Sequence, residues 1–198
     1  MKVLLLDADG VVLEKGEIFS AKFAREYDVP LEEVTPFFKE KLSACQTGEK
    51  DLKEELVPYL AQWGWTKGVD AFLEYWFADI TINPAIELVL ARCKEQGITC
   101  YLASNNEPYR ARAIEAKLGD RLEGYFFSSD LKVKKENPEF FGVVVDTLGI
   151  PASECGFVDN EGKNVEAARA AGLVGQLYRE GLWQAWPVPP VVTDLKIS

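Results

Sequence analysis

Val3-Leu4-Leu5-Leu6 is apolar at every position and is cut off by Asp7-Ala8-Asp9-Gly10. A strand with one wet face alternates. A strand apolar on both faces is covered on both, which is the condition of a parallel sheet packed between helices. The rest of the chain repeats the pattern. Ile98 to Ala103, Tyr125-Phe126-Phe127, Gly156-Phe157-Val158 and Leu173 to Tyr178 read as strands. Helical segments separate them. Asn83-Pro84 and Asn137-Pro138 each offer an N-cap followed by a proline at the first helical position. Behind them Ile86, Val89, Leu90 and Cys93, and then Phe141, Val144, Val145 and Leu148, fall on single helix faces. Residues 108–118 and 163–171 complete the set. Strand–helix alternation predicts an α/β fold with a largely parallel sheet.

Between Glu17 and Ile80 the texture changes to charged, aromatic-rich helix. Leu73, Trp76, Phe77 and Ile80 share one helical face. Pro30, Gly48 and Gly64 divide the stretch into about four short helices. The expected organisation is therefore a core of residues 1–13 and 83–198, with 14–82 inserted as a helical bundle. Trp63, Trp65, Tyr75, Trp76 and Phe77 are expected to build the bundle's interior rather than a substrate cage. Trp183 and Trp186 are expected to pack on the body, ahead of a stiff, extended ending at Pro187-Val188-Pro189-Pro190.

The chain of 198 residues has 47% hydrophobic residues, enough for a real core, and contains no histidine. Ser-His-Asp triads, Cys-His dyads and His-ligated zinc are thereby excluded. Acid–base work falls to carboxylates, lysine, tyrosine or cysteine. A net charge of -10 argues against nucleic acid or an anionic membrane as partner. Cys45, Cys93, Cys100 and Cys155 form no CxxC pair, so buried free thiols are expected. The N-terminal apolar run is too short for a signal peptide, and no run is long enough to span a bilayer. A cytoplasmic protein, monomeric or weakly dimeric, is the expectation.

In an open parallel sheet the ligand site lies beyond the carboxyl ends of the strands. Those ends here carry Asp7 and Asp9, then Ser104 and Asn105, then Lys134 and Lys135, then Asp159. Asp7-Ala8-Asp9-Gly10-Val11 resembles the first motif of the haloacid dehalogenase-like hydrolase superfamily, and Leu102-Ala103-Ser104-Asn105 resembles its second. Lys135-Glu136-Asn137-Pro138 resembles the third. Phe157-Val158-Asp159-Asn160, with Asn164 to Ala168 and Gly172 behind it, is similar to the fourth. The order is the family's, across nearly the whole chain. The resemblance implies a Rossmann-like sheet core with an inserted α-helical cap.

It also implies a phosphatase of small soluble phosphate esters, sugar phosphates or nucleotides, acting through an aspartyl-phosphate. Asp7 would be the nucleophile, and Asp9 the group that protonates the leaving oxygen and later takes a proton from water. Ser104 and Asn105 would bind phosphoryl oxygens. Lys135, favoured by the motif over Lys134, would stabilise the phosphorylated intermediate. Mg²⁺ would be held by Asp7, the Asp9 carbonyl and Asp159. Gln46, Thr47 and Lys39 are candidate specificity contacts in the insertion. Two departures stand out. Asn160 replaces the second acid common in the fourth motif, leaving Glu161 to compensate, and Glu136 follows the lysine where proline is usual. The acidic Asp9 disfavours a dehalogenase. A phosphonatase, or a non-catalytic binding module on the same scaffold, is the remaining alternative.

Overall fold

In the computed structural model, residues 1–185 are described. Five strands, β1 (Val3–Leu6), β2 (Thr99–Ser104), β3 (Gly124–Phe127), β4 (Cys155–Asp159) and β5 (Val174–Leu177), form one sheet in the order β3-β2-β1-β4-β5. Every pairing is parallel, with Leu6 opposite Leu102 on one side and Val158 on the other. The chain leaves β1 for β2 and β3, then returns to the opposite side for β4 and β5. The crevice beyond β1 is therefore where the strand order reverses.

The period of β1 assigns its residues to two cores. Leu4 and Leu6 pack with Ile86, Val89, Ile114, Leu118 and Trp183 on one face. Val3 and Leu5 pack with Phe140, Phe141, Val144 and Phe157 on the other. The covering helices are α6 (Ile86–Glu95) and α7 (Pro108–Leu118) on the first face, and α9 (Pro138–Leu148) and α10 (Gly162–Ala170) on the second. Short α8 (Ser128–Leu131) follows β3 directly. All four cysteines are buried and free.

A third core lies under the helices that follow β1: α1 (Phe19–Tyr27), α2 (Leu31–Pro36), α3 (Leu42–Gln46), α4 (Leu52–Gln62) and α5 (Val69–Phe77). Phe23, Phe37, Leu56, Trp63, Trp65 and Phe72 form its centre. Tyr75, Trp76 and Phe77 are only partly buried around it. A proline at helix position 36 does not end the structure there. The next turn, Phe37–Lys41, widens to a π-helix and runs on into α3. Ile80 lies beyond the end of α5, which corrects the four-residue stripe expected from sequence. The chain turns after Phe77 to rejoin the sheet, with the Ile80 amide donating to the Phe77 carbonyl.

Helix α6 opens at Ile86 rather than Pro84, and Asn83 stands at the head of the turn that leads into it. Its Oδ1 accepts from the Ala85 amide at 3.0 Å, and its Nδ2 donates to the Val11 carbonyl at 3.1 Å. Asn137 caps α9 as expected, accepting from the Glu139 amide at 3.0 Å. Trp183 is buried, whereas Trp186 and Pro187–Pro190 lie outside the described residues. Among the described residues no helix is long and apolar enough to cross a membrane.

Candidate active site

The floor of the site is set by β1 and β4, the two central parallel neighbours. Asp7 leaves β1 with its amide donating to the Val158 carbonyl, and a tight turn follows in which the Val12 amide returns to the Asp7 carbonyl at 3.2 Å. Gly10 sits in that turn at φ +79°, and a Cβ there would lie 2.5 Å from Asn160 Nδ2. The positive φ favours glycine, and a side chain there would push the Asn160 carboxamide off its place. The Asn160 amide instead donates to the Asp9 carbonyl at 2.8 Å, tying the end of β4 to the turn after β1.

Lys135 lies between the two strand ends. Its ammonium contacts Asp7 Oδ1 and donates to Asp159 Oδ2 at 2.8 Å, and all three side chains are almost wholly buried. Burial pushes the Asp7 carboxyl up to about 7, with Asp159 adding to the rise and Lys135 opposing it. Burial alone would lower the lysine. The charges of Asp7 and Asp159 more than reverse this and hold it protonated. Asp159 is further fixed by the Glu161 amide at 2.7 Å and Asn164 Nδ2 at 2.9 Å. The Glu161 side chain is exposed, and it is its main chain that serves the site.

Lys134 points elsewhere, to Ser43 Oγ at 3.3 Å and Glu136 at 3.1 Å. Asn105 turns both amide atoms toward the lysine loop: Oδ1 accepts from the Lys135 amide at 2.9 Å and Nδ2 donates to Glu136 at 3.0 Å. Its carbonyl receives Gln46 Nε2 at 3.1 Å. Ser104 is buried, and its Oγ accepts from Asn106 Nδ2 at 2.7 Å. The hydroxyl hydrogen therefore stays available for donation.

Asp9 stands at the rim. Both its oxygens face Arg110, at 2.8 and 2.6 Å. Desolvation in the cleft pushes its carboxyl up, but the Arg110 charge and hydrogen bonds outweigh this and hold it below the usual range. Arg110 and Asn106 were not among the candidates from sequence. Their only linear signal is the i, i+4 spacing at the entry to the helix after Ser104. Glu107 opens that helix, its carboxylate accepting from the Tyr109 and Arg110 amides at 2.7 Å each.

Asp7, Asp9, Ser104, Asn106, Arg110 and Lys135 line a cavity of about 1200 Å³, with Asp159 buried behind them. Its opposite wall comes from the helical insertion and includes Phe19, Phe38, Leu42, Gln46 and Trp76. Trp76 is thus both bundle packing and cavity wall. Of the three candidate specificity residues, Gln46 reaches the cavity. Thr47 turns its hydroxyl to the Ala44 carbonyl at 3.1 Å, and Lys39 lies in a separate shallow groove beside Leu31 and Glu32.

Among the described residues no three acidic, cysteine or histidine side chains converge as a metal cluster. The donors on offer are two carboxylates, Asp7 and Asp159, and the Asp9 carbonyl. That all-oxygen set suits Mg²⁺, which keeps much of its water shell, and offers nothing to a metal that wants nitrogen or sulfur.

A five-stranded parallel sheet with acidic and basic groups gathered at its switch point defines an α/β enzyme architecture. The model of the haloacid dehalogenase-like hydrolases matches residues 1–172, and the chain belongs to that hydrolase family. Among curated relatives, a phosphoglycolate phosphatase of Pectobacterium atrosepticum is 30% identical over 120 residues, 58% of this chain and 51% of that one. The plasmid protein CbbY of Cupriavidus necator is 28% identical over 99 residues, 48% of this chain and 39% of that one. The chain thus spans about half or less of these relatives' length. A solved haloacid dehalogenase family enzyme from Bacteroides thetaiotaomicron, in complex with magnesium and inorganic phosphate, superposes with a TM-score of 0.77. It is 19% identical and covers 91% of this chain and 96% of its own. The L-2-haloacid dehalogenase of Xanthobacter autotrophicus superposes at 0.60, with 20% identity and coverage of 87% and 75%. These likenesses concern the fold.

Proposed function

We propose that the protein is a Mg²⁺-dependent phosphomonoester hydrolase acting through an aspartyl-phosphate on Asp7. The observation that carries this reading is the convergence of Asp7 and Asp159 on Lys135, with Asp9 and Ser104 at the edge of the same cavity. An Asp7 oxygen attacks phosphorus, forming the acyl phosphate as the bond to the ester oxygen breaks. Asp9, which Arg110 holds ionised before substrate enters, takes up a proton from solvent once the phosphoryl dianion lies beside it and gives that proton to the ester oxygen. A water then attacks phosphorus, Asp9 takes the proton, and phosphate leaves with Asp7 restored. The Ser104 hydroxyl donates to a phosphoryl oxygen, and the Lys135 ammonium offsets charge on the transferred group. Bound Mg²⁺, held by Asp7, Asp159 and the Asp9 carbonyl, would neutralise the phosphoryl charge that two carboxylates otherwise repel.

Residues 14–82 serve in this reading as a cap over a core of 1–13 and 83–198. The cap contributes the wall of Phe38, Leu42, Gln46 and Trp76, and excludes water during transfer. A flat apolar wall in a cavity of about 1200 Å³ favours a nucleotide over a bare sugar phosphate. Phosphoglycolate, from the relatives' names, belongs in the same substrate screen. The test is hydrolysis of p-nitrophenyl phosphate by the wild type and Asp7→Asn, with Mg²⁺ and with EDTA. Activity that needs the metal and is lost in the variant is expected. Metal-independent turnover, or a fully active variant, would overturn the reading.

A further inference from the structure

The phosphatase reading makes Asp9 the proton donor and acceptor, yet Asp9 has little around it to hold it still. It lies on an exposed turn, with 57% of its side chain accessible. A carboxyl group in that setting rotates freely unless something grips it. Resting on that reading, we propose that Arg110 is the positioning residue for Asp9, fixing the plane of its carboxyl group and linking it to the phosphate-binding Ser104.

Arg110 itself is well anchored, with 18% of its side chain accessible. Its two terminal nitrogens meet the two Asp9 oxygens at 2.8 and 2.6 Å. A planar fork against a planar carboxylate fixes orientation as well as position, which a lysine ammonium does not. Nη1 also donates to Asn106 Oδ1 at 2.7 Å, and Asn106 Nδ2 donates to Ser104 Oγ at 2.7 Å. Asn106 is nearly fully buried. The chain Ser104–Asn106–Arg110–Asp9 thus joins the end of β2 to the turn after β1, across residues 101 positions apart.

The base of the arginine is held as well. Its amide is capped by the buried Glu107 carboxylate in the first turn of α7. The two-armed grip has a mechanical consequence. One Asp9 oxygen can leave Nη1, take up a proton from solvent and turn to the ester oxygen while the other stays on Nη2. Nη1 keeps its bond to Asn106 throughout, so the guanidinium does not lose its own place.

A purely structural role for the ion pair would slow all substrates alike. A positioning role makes a different demand. p-Nitrophenolate leaves without much help, whereas an alkoxide needs its proton. The experiment compares kcat/KM for p-nitrophenyl phosphate and glycerol phosphate in the wild type, Arg110→Met and Arg110→Lys, with Mg²⁺ present. Arg110→Met is expected to lose about a hundredfold on glycerol phosphate and less than about tenfold on the aryl ester. Arg110→Lys should fall between wild type and Arg110→Met on the alkyl ester, since it keeps charge without the fork. Inhibition by inorganic phosphate should stay within about twofold, as the phosphate-binding groups remain. Equal losses on both esters, or no loss on the alkyl ester, would overturn the proposal. Should Arg110→Met fail to fold, the ratio of the two losses in Arg110→Lys decides the matter in the same way. A wild type that hydrolyses neither ester would overturn the phosphatase reading, and this proposal with it.

Discussion

Lys135 holds the floor of the site together, and its removal has consequences for both activity and stability. Taking one partner from a buried ion pair costs about 3–5 kcal/mol, because the remaining charge is left without compensation. Lys135→Met leaves Asp7 and Asp159, both buried, without the cation between them. The expected result is loss of phosphatase activity and a melting temperature lower by about 6 °C or more. The pH dependence has a definite sign. Burial raises Asp7 from an ordinary 3.8 to about 7 even with the lysine beside it. Without that cation the value rises further. A carboxyl raised on folding destabilises the fold as pH climbs above the unfolded value, until it ionises in the folded state. The gap in melting temperature between wild type and Lys135→Met should therefore widen from pH 5.5 to pH 8. A gap that stays constant or narrows over that range would mean that Asp7 does not depend on this ammonium. At this scale the sequence made some residues legible and left others hidden. Strand-end position nominated Asp7, Asp9, Ser104, Asn105, Lys134, Lys135 and Asp159, and the resemblance to the family's third motif was needed to prefer Lys135 over Lys134. Nothing in the linear order says that Asn105 turns its amide to the lysine loop, or that Arg110 reaches a carboxylate a hundred residues away. Those contacts exist only once β1 and β2 lie side by side.

The central strand β1 was the easiest element to place, because a buried parallel strand is a continuous apolar run and this one stops at Asp7, whereas β5, Val174-Gly175-Gln176-Leu177, is neither buried nor continuously apolar. Helix ends were harder. Asn83 accepts from the Ala85 amide as Asn137 accepts from Glu139, yet α6 begins only at Ile86, after a turn that also ties Asn83 to Val11. The insertion was harder again. Its aromatics share one periodicity whether they face the bundle or the cavity, so Trp63 and Trp76 look alike in sequence. In the fold Trp63 is interior, whereas Trp76 closes the end of α5 against Phe19 and Phe38 and lines the cavity. In the proposed phosphatase reading, that position makes α5 the element that selects the leaving group. Trp76→Leu should raise KM about tenfold for a nucleoside monophosphate and leave glycerol phosphate within about twofold. An equal rise for both would assign Trp76 to bundle packing alone. Circular dichroism distinguishes this from loss of the bundle, since removal of packed aromatic surface can itself cost about 3 kcal/mol or more.

At the scale of the whole molecule, the helical segment is joined to the sheet by a narrow stem and a polar seat. In the stem, Leu13 bridges Ile82, the Glu14 amide donates to the Thr81 carbonyl at 2.8 Å, and the Asn83 amide donates to Val12 at 2.9 Å. In the seat, α3 rests on the core through Gln46 to the Asn105 carbonyl and Ser128 Oγ to the Gln46 carbonyl at 2.6 Å. Tyr109 adds a bond to Asp51 at 2.7 Å. Most of the strongly apolar packing lies inside each part, with Phe77 (shared by the sheet and helical cores), Ile80 and Tyr109 as the few apolar links between them. Polar contacts exchange with water at little net cost, so the seat can open while both interiors stay intact. A ligand held between Asp7 and the Trp76 wall would bind only the seated form and stabilise it by mass action. At a ligand concentration about 100 times its dissociation constant this is worth about 2.7 kcal/mol, or about a hundredfold in the opening equilibrium. Hydrogen exchange gives the test. Adding Mg²⁺ with inorganic phosphate should slow exchange of the amides in α3 and in residues 14–17 by up to that factor. Amides of β1, which open only with the whole fold, should slow no more than global stability requires. Uniform slowing across α3 and the sheet would show that the segment moves as one body with the core. The helices of 14–82 would then be a fixed wall, and substrate would have to enter past Ile18 and the exposed residues 14–17.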